Sequence, residues 1–469
     1  MSQVRVLAGE SSFVHFPCRK TTLPGLEESR DRPPEMMWRL HLTLIFALAM
    51  SLAPPADGFA AESKSEAWSL HFQATGIEQG HPSFSSPYSN ENSLLAEEEP
   101  KDTVTSTLFL GRKLWKGAEL YVNPEVFQGF GLSKTSGVAG FPNGEATGTD
   151  SRTPKPYVAR LFLRQTIGLG GVQESISSDK NQLASDPDLS RITITIGKLS
   201  ALDIFDNNSY SEDPRTQFLN WALVSNGAWD YPADTKGYTQ GLALEYNQPN
   251  WTLRWGSFRV PLVANSPHLD RRLGKALGHV TELEGRYSFL ERPGKVRLLG
   301  FLNRAHMGRY KESMSSLDVT QSRAYRSKYG FGMNAEQELT KDFGTFMRLG
   351  WNDGQTETVA FTEIDRTASL GINLKGTSWR RPEDTVGLAG LINGLSKNHR
   401  NYLAAGGLGF IIGDGRLDYA PEEILEIYYD LRIIRGISLA FDYQWVNHPA
   451  YNEDRGPVSI LSGRLHYEF

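Results

Sequence analysis

The chain has 469 residues, 39% hydrophobic and 22% charged, with 45 Gly, 24 Pro, 23 Phe, 18 Tyr, 10 Trp and one Cys. Such an aromatic content with a single Cys excludes a collagen, a disulfide-built scaffold and a mainly disordered chain. The 49 Lys and Arg against 54 Asp and Glu give a net charge of −5, so no basic field recruits nucleic acid, and no nucleic-acid partner is expected.

In chain order, the first apolar run is Leu40 to Leu52, LHLTLIFALAMSL. It is too short to cross a bilayer, which takes about 20 residues. Arg39 before it, and Gly58 and Ala60 after it, give the layout of a secretory signal cut after Ala60. Met36 or Met37 is then the natural start. Residues 1–35 read as a miscalled extension, 36–60 as a signal peptide and 61–469 as the exported domain. Cys18 falls upstream of the cut, which leaves the exported domain without a thiol nucleophile or thiolate metal site.

Beyond Ala61 the recurring pattern is alternation with period two. Trp68, Leu70 and Phe72 alternate with Ser69, His71 and Gln73; Ile192, Ile194 and Ile196 alternate with Arg191, Thr193 and Thr195. Leu283, Tyr287 and Phe289 share a register opposite Glu282, Glu284 and Arg286. Seventeen segments read as strands: 67–75, 103–111, 117–126, 156–167, 190–197, 237–247, 249–259, 279–289, 294–304, 328–339, 343–351, 367–374, 384–392, 402–412, 422–432, 436–446 and 457–468.

Alternation of this kind fits either a half-solvated antiparallel sheet on a soluble core or a barrel wall between lipid and water. Three further features favour the barrel. Many segments approach the roughly 9–11 residues of a tilted membrane strand. Short connections such as Asn247-Gln-Pro-Asn250 and Glu291-Arg-Pro-Gly294 alternate with long ones at 76–102, 127–155, 198–236, 260–278, 305–327 and 447–456. The last segment is amphipathic and ends on Phe469, with Leu465 and Tyr467 in phase, the pattern expected for the outer-membrane assembly machinery. Bacterial barrels have an even strand number. The expected fold is therefore an all-β, antiparallel, up-and-down transmembrane barrel of sixteen strands, with one of the seventeen segments superfluous.

Several segments together resemble the carbohydrate-selective porin family of the OprB type. They are Ile192-Thr-Ile-Thr-Ile-Gly-Lys-Leu-Ser-Ala-Leu-Asp-Ile-Phe-Asp-Asn-Asn, Asp213-Pro-Arg-Thr-Gln-Phe-Leu-Asn-Trp221, Tyr157-Val-Ala-Arg-Leu-Phe-Leu-Arg-Gln-Thr166 and Gly413-Asp-Gly-Arg-Leu-Asp-Tyr-Ala-Pro-Glu422. The resemblance runs from about Trp68 to Phe469. It implies a sixteen-stranded channel in the outer membrane of a Gram-negative bacterium, set in lipid and lipopolysaccharide. It further implies passive entry of glucose, related monosaccharides or short oligosaccharides, with a homo-oligomer common in the family.

A channel for a neutral sugar needs hydrogen-bonding groups and an aromatic face at a constriction that binds weakly enough to release. On segment 156–167, Arg160, Phe162 and Arg164 share a face that is assigned to the lumen. The competing reading makes the two arginines salt-bridged wall positions. The long connection 198–236 is expected to fold inward and narrow the pore, with Asp203, Asp206, Asn207, Arg215, Asn220 and Trp221 as solute-contacting candidates; the competing reading buries Trp221 in a core of the loop itself. Arg254, Glu282, Glu284, Arg286, Lys295 and Arg297 are expected as solvated pore lining. No catalytic, metal or cofactor site is expected, because no HExxH, GxSxG or phosphate-binding loop is present. A barrel enzyme such as a lipid or glycan hydrolase, and a non-channel structural barrel, stand as the alternatives.

Overall fold

The computed structural model describes residues 65–146, 150–360 and 363–469. The leader and cut site expected within residues 1–60 lie outside them. Sixteen strands follow one another: β1 (Trp68–Gly80), β2 (Lys101–Trp115), β3 (Ala118–Gly129), β4 (Ser151–Gly168), β5 (Arg191–Leu199), β6 (Thr239–Asn247), β7 (Trp251–Phe258), β8 (Leu277–Phe289), β9 (Arg292–Met307), β10 (Ala324–Thr340), β11 (Phe343–Asn352), β12 (Arg366–Gly376), β13 (Arg381–Gly394), β14 (Glu422–Ile434), β15 (Ile437–Asn447) and β16 (Val458–Glu468). Each pairs antiparallel with its chain neighbours, and β1 pairs with β16 to close the barrel. Phe72 and Phe469 exchange both backbone hydrogen bonds at that seam, 3.1 and 3.0 Å, and their rings stack at 5.8 Å.

The superfluous segment is 402–412. Its first residues belong to a helix, α2 (Lys397–Ala404), which follows a one-turn helix, α1 (Trp221–Val224), in chain order. Tyr402, Leu403, Ile411 and Ile412 are buried in the packing of the loop between β13 and β14. A short apolar run has the same sequence signature whether it is a strand or a loop core, and length alone did not separate them.

The two faces of the wall are those of a membrane barrel. Leu370, Phe331, Phe441 and Leu461 point outward, each about 60% exposed, while Arg348, Arg464, Glu422 and Glu426 are buried inside. A soluble sandwich would hide such leucines and solvate the arginines. Among the described residues no helix is long and apolar enough to cross a membrane. Only a closed sheet satisfies every backbone group in lipid without helices. Trp251, Tyr246 and Tyr287 face outward near the short-turn rim, and Tyr329, Phe331 and Trp351 cluster toward the other end, as interfacial girdles do.

The apolar core sits inside the barrel, built largely by loop 200–238. Phe205, Phe218, Trp221, Trp229 and Tyr231 pack there against Phe258, Phe346 and Tyr428 of the wall. Phe218 meets Tyr428 edge-on at 4.9 Å, a preferred aromatic geometry. The wall makes room by presenting glycine on its inner face. A Cβ on Gly350 of β11 would lie 2.1 Å from Asn226 Oδ1 and 2.9 Å from Ala228.

Charge fastens the same loop. The buried Arg348 guanidinium donates to the Asp206 carboxylate at 3.1 and 3.2 Å and to the carbonyls of Leu223 and Ser211. Glu426 accepts from the backbone N–H groups of Leu219 and Asn220. Four residues along the same inner face, Glu422 accepts from Ala139 and Gly140 in the loop after β3. These carboxylates take up backbone donors that would otherwise be buried without partners.

Candidate functional site

The inner end of loop 200–238, the loop after β3 and the inner faces of β1–β4 enclose a cavity of about 500 Å³. β3 and β4 aim side chains into it through a local irregularity. Asn123 pairs with Arg160 and Pro124 with Val158, so Ala159 is an extra residue on β4. The bulge lets Tyr157 and Arg160, three residues apart, face the same way. Pro124 lacks a ladder donor, and an interrupted ladder tolerates that.

Six of the nine sequence-based candidates line the cavity: Arg160, Phe162, Arg164, Asp203, Arg215 and Trp221. Arg160 donates Nε and Nη2 to Asp203 at 2.7 and 2.6 Å, a bidentate pair, and lies 5.2 Å over the Tyr238 ring. Arg164 sits over Tyr121 and Phe162 and donates to the carbonyl of Asn181 at 2.9 Å. Arg215 reaches Glu145 at 2.9 Å and Glu125 at 3.4 Å. Trp221 stacks on Phe141 at 5.6 Å with its rings nearly parallel, so most of it belongs to the loop core and only an edge meets the cavity.

Asp206, Asn207 and Asn220 are not among the lining residues. Asp206 is the partner of Arg348, and Asn220, fully buried, bridges the Gly140 carbonyl and Gln444. Asn207 ties Leu202 to Glu212 within the loop. The expectation of solvated lining on β7–β9 holds only in part: Arg286 and Lys295 keep 26% and 36% of their side chains exposed, whereas Glu282, Glu284 and Arg297 are buried. Arg254, Glu284, Arg297 and Glu336 form a continuous ion-pair ladder, with Arg297 bonded at 2.9 Å to Glu284 and 3.4 Å to Glu336. Loop 200–238 covers much of it, because Glu282 accepts from the Asp206 N–H and Glu336 from Ser209.

Sequence reading missed Glu125, Glu145, Tyr157 and Tyr238, which also line the cavity. Glu125 accepts from Thr107 at 2.6 Å, from Tyr238 at 3.1 Å and from Tyr157. Its signal was available in the alternation Glu119, Tyr121, Asn123, Glu125 within the segment 117–126 read as a strand. A fourth wall, Lys180, Asn181 and Gln182, comes from the connection 169–190 between β4 and β5. That connection breaks the expected alternation, being long at the rim where the others are short.

The lining holds five cations, Arg160, Arg164, Lys180, Arg215 and Lys236, and five carboxylates, Glu125, Glu145, Asp203, Glu212 and Asp213. The loop carboxylates differ in their surroundings. Burial would raise Asp213, but Lys180 and Arg215 beside it hold it below the ordinary carboxylate range. Glu212 opens onto the cavity yet is ringed by protein elsewhere, and loss of bulk hydration pushes it up to about 7.

The family model described as "Carbohydrate-selective porin, OprB family" matches residues 104–469. The chain belongs to this family. Its fold matches that of OprB from Pseudomonas putida solved at high pH, with a TM-score of 0.64 at 15% identity, covering 86% of this chain and 94% of that one. The outer-membrane channel DcaP of Acinetobacter baumannii aligns with a TM-score of 0.49 at 8% identity, over 88% and 99% of the two chains. No curated relative matches in sequence. This OprB-family porin is therefore, by its family, a channel of the Gram-negative outer membrane, built as a closed β-barrel.

Proposed function

We propose that the chain is a passive channel for small neutral carbohydrates, glucose and related mono- or short oligosaccharides, moving down their gradient into the periplasm. The observation that supports it is the balanced lining: five cations face five carboxylates with Tyr157, Phe162 and Tyr238 between them. A net-neutral ring offers no electrostatic reward to an ion, whereas its donors, acceptors and aromatic faces suit hydroxyls and the C–H side of a sugar ring. Arg160 and Arg164 act as the hydroxyl donors, Asp203 and Glu125 as acceptors. Arg215 fixes the two carboxylates that face it, and the Trp221 edge supplies an apolar patch. The terminal strand ending at Phe469 is the segment assigned to recognition by the assembly machinery.

Purified protein in liposomes is expected to admit glucose faster than a trisaccharide of similar polarity. In planar bilayers, glucose is expected to block ion current, and Arg160→Ala with Arg164→Ala to relieve that block while the protein still folds. Equal entry rates for all sugars, or a block that survives the double variant, would remove the reading or its site.

A further inference from the structure

The connection 169–190 is a hairpin turned into the barrel. Gly170 and Gly171, with φ of +85° and +100°, reverse the chain at its base in a backbone conformation that costs glycine little. The two limbs pair inward: Leu189 N–H to Val172 O at 2.8 Å, Ile176 with Ser185 in both directions, and Asp179 with Gln182 at the tip. Lys180 and Asn181 form the turn, with Asn181 at φ +56°, a position Asn tolerates.

Inner-face side chains of four strands hold the tip. His71 of β1 bonds Ser178 at 3.1 Å, Asn123 of β3 bonds the Asn181 side chain at 2.8 Å, and Arg164 of β4 takes the Asn181 carbonyl. Lys180 reaches across to Glu468 of β16 at 3.3 Å. The Leu183 side chain is buried, and its N–H donates to the Tyr121 hydroxyl at 3.1 Å. Asn123 is the residue paired with Arg160, so the tip rises to the level of the constriction itself.

Lys180 also borders a second cavity, of about 860 Å³, bounded by Glu468, Phe469, Arg432 and the short turns on either side of Arg380 and Arg435. The tip thus stands between the constriction chamber and a vestibule at the short-turn rim, which faces the periplasm in barrels of this type. We infer that hairpin 169–190 is a fixed second selectivity element, and that Lys180 is a specificity-determining residue past which solute leaves the chamber. The exclusion size of the channel is then set from two directions, by loop 200–238 on one side and by the hairpin on the other. This rests on the chain being a channel, not on its solute being a sugar.

The test uses the full-length protein in planar bilayers with potassium chloride and neutral polyethylene glycols of graded size. In one variant a two-residue Asn-Gly turn replaces residues 170–189; the second is Lys180→Ala, which leaves the buried Leu183 contact in place. Shortening is expected to raise single-channel conductance at least two-fold and to admit larger polymers. Lys180→Ala is expected to shift the reversal potential toward cations, since one of the five positive charges leaves a balanced ring. Unchanged exclusion size in a folded shortened variant would overturn the inference. Should that variant not fold, an unchanged reversal potential and conductance in Lys180→Ala would overturn it as well. Both readouts are ionic, so a channel that rejects glucose but obeys them defeats the sugar reading and leaves this one standing.

Discussion

On β7–β10 the inward groups Glu282, Glu284, Arg297 and Glu336 lie beneath loop 200–238, whereas on β3 and β4 the similar set Glu125, Arg160 and Arg164 borders the open cavity. The residue types are the same, and both sets sit on the inner face of paired antiparallel strands. What differs is the cover. Under the loop, each charge is paired and excludes water, so its work is to seat the constriction. Beside the cavity, Arg160 and Asp203 keep 14% and 27% of their side chains open and can exchange one hydrogen bond for another with a passing solute, while Glu125 stays buried among its partners. Removing one partner of a buried pair strands the other, while an exposed pair is worth little.

The sharpest way to break this contrast is Arg348→Ala. It leaves the Asp206 carboxylate buried with its main cation gone and should cost about 3–5 kcal/mol, read as a lower urea midpoint in micelles. Conductance should rise as loop 200–238 loses its seat, and a loss under about 1 kcal/mol would show that the loop does not depend on it. Next in size, Gly350→Ala drives a methyl against Asn226 and should cost about 1–3 kcal/mol by the same assay, with no change in the charge of the pore. A variant as stable as the parent would mean the loop shifts freely on the wall.

On the cavity side, Arg160→Ala breaks a pair that is partly open to solvent and should change stability by about 1 kcal/mol or less. Its effect belongs instead to the solute: loss of one charge-assisted hydrogen bond, worth about 1.5 kcal/mol, predicts glucose block weakened roughly ten-fold. A large stability loss with unchanged block would reverse the assignment. The smallest effect is a pH response. Glu212, pushed up to about 7, is charged above that pH and neutral below it. Acidification from pH 8 to pH 6 therefore leaves the lining with excess positive charge, and the reversal potential should move toward anions. Glu212→Gln should abolish that movement, and a movement that persists in Glu212→Gln would assign it to another group.

Much of the wall was legible in the residues. Segments such as Ile192–Ile196 and Leu283–Phe289 alternate because a strand between lipid and water has two environments two residues apart, and that period survives any tertiary detail. Arg160, Phe162 and Arg164 were assignable to one face for the same reason, even though the Ala159 bulge shifts the phase just before them. Loop 198–236 announced itself by its length and by its mixture of Asp, Asn, Arg and Trp. Segment 402–412 misled because buried loop residues are as apolar as a wall.

Sequence by itself thus determined the antiparallel barrel, the two-faced alternation of its strands and the shared face of Arg160 and Arg164 on β4. Only the tertiary structure decided which inward charges meet water, because that depends on where loop 200–238 lies down, tens of residues away from the charges it covers. It also decided that Asp206 and Asn220 are fastenings rather than contacts, and that hairpin 169–190 turns into the lumen instead of away from it. Periodicity records the faces of a strand; it holds no record of what another segment later places upon them.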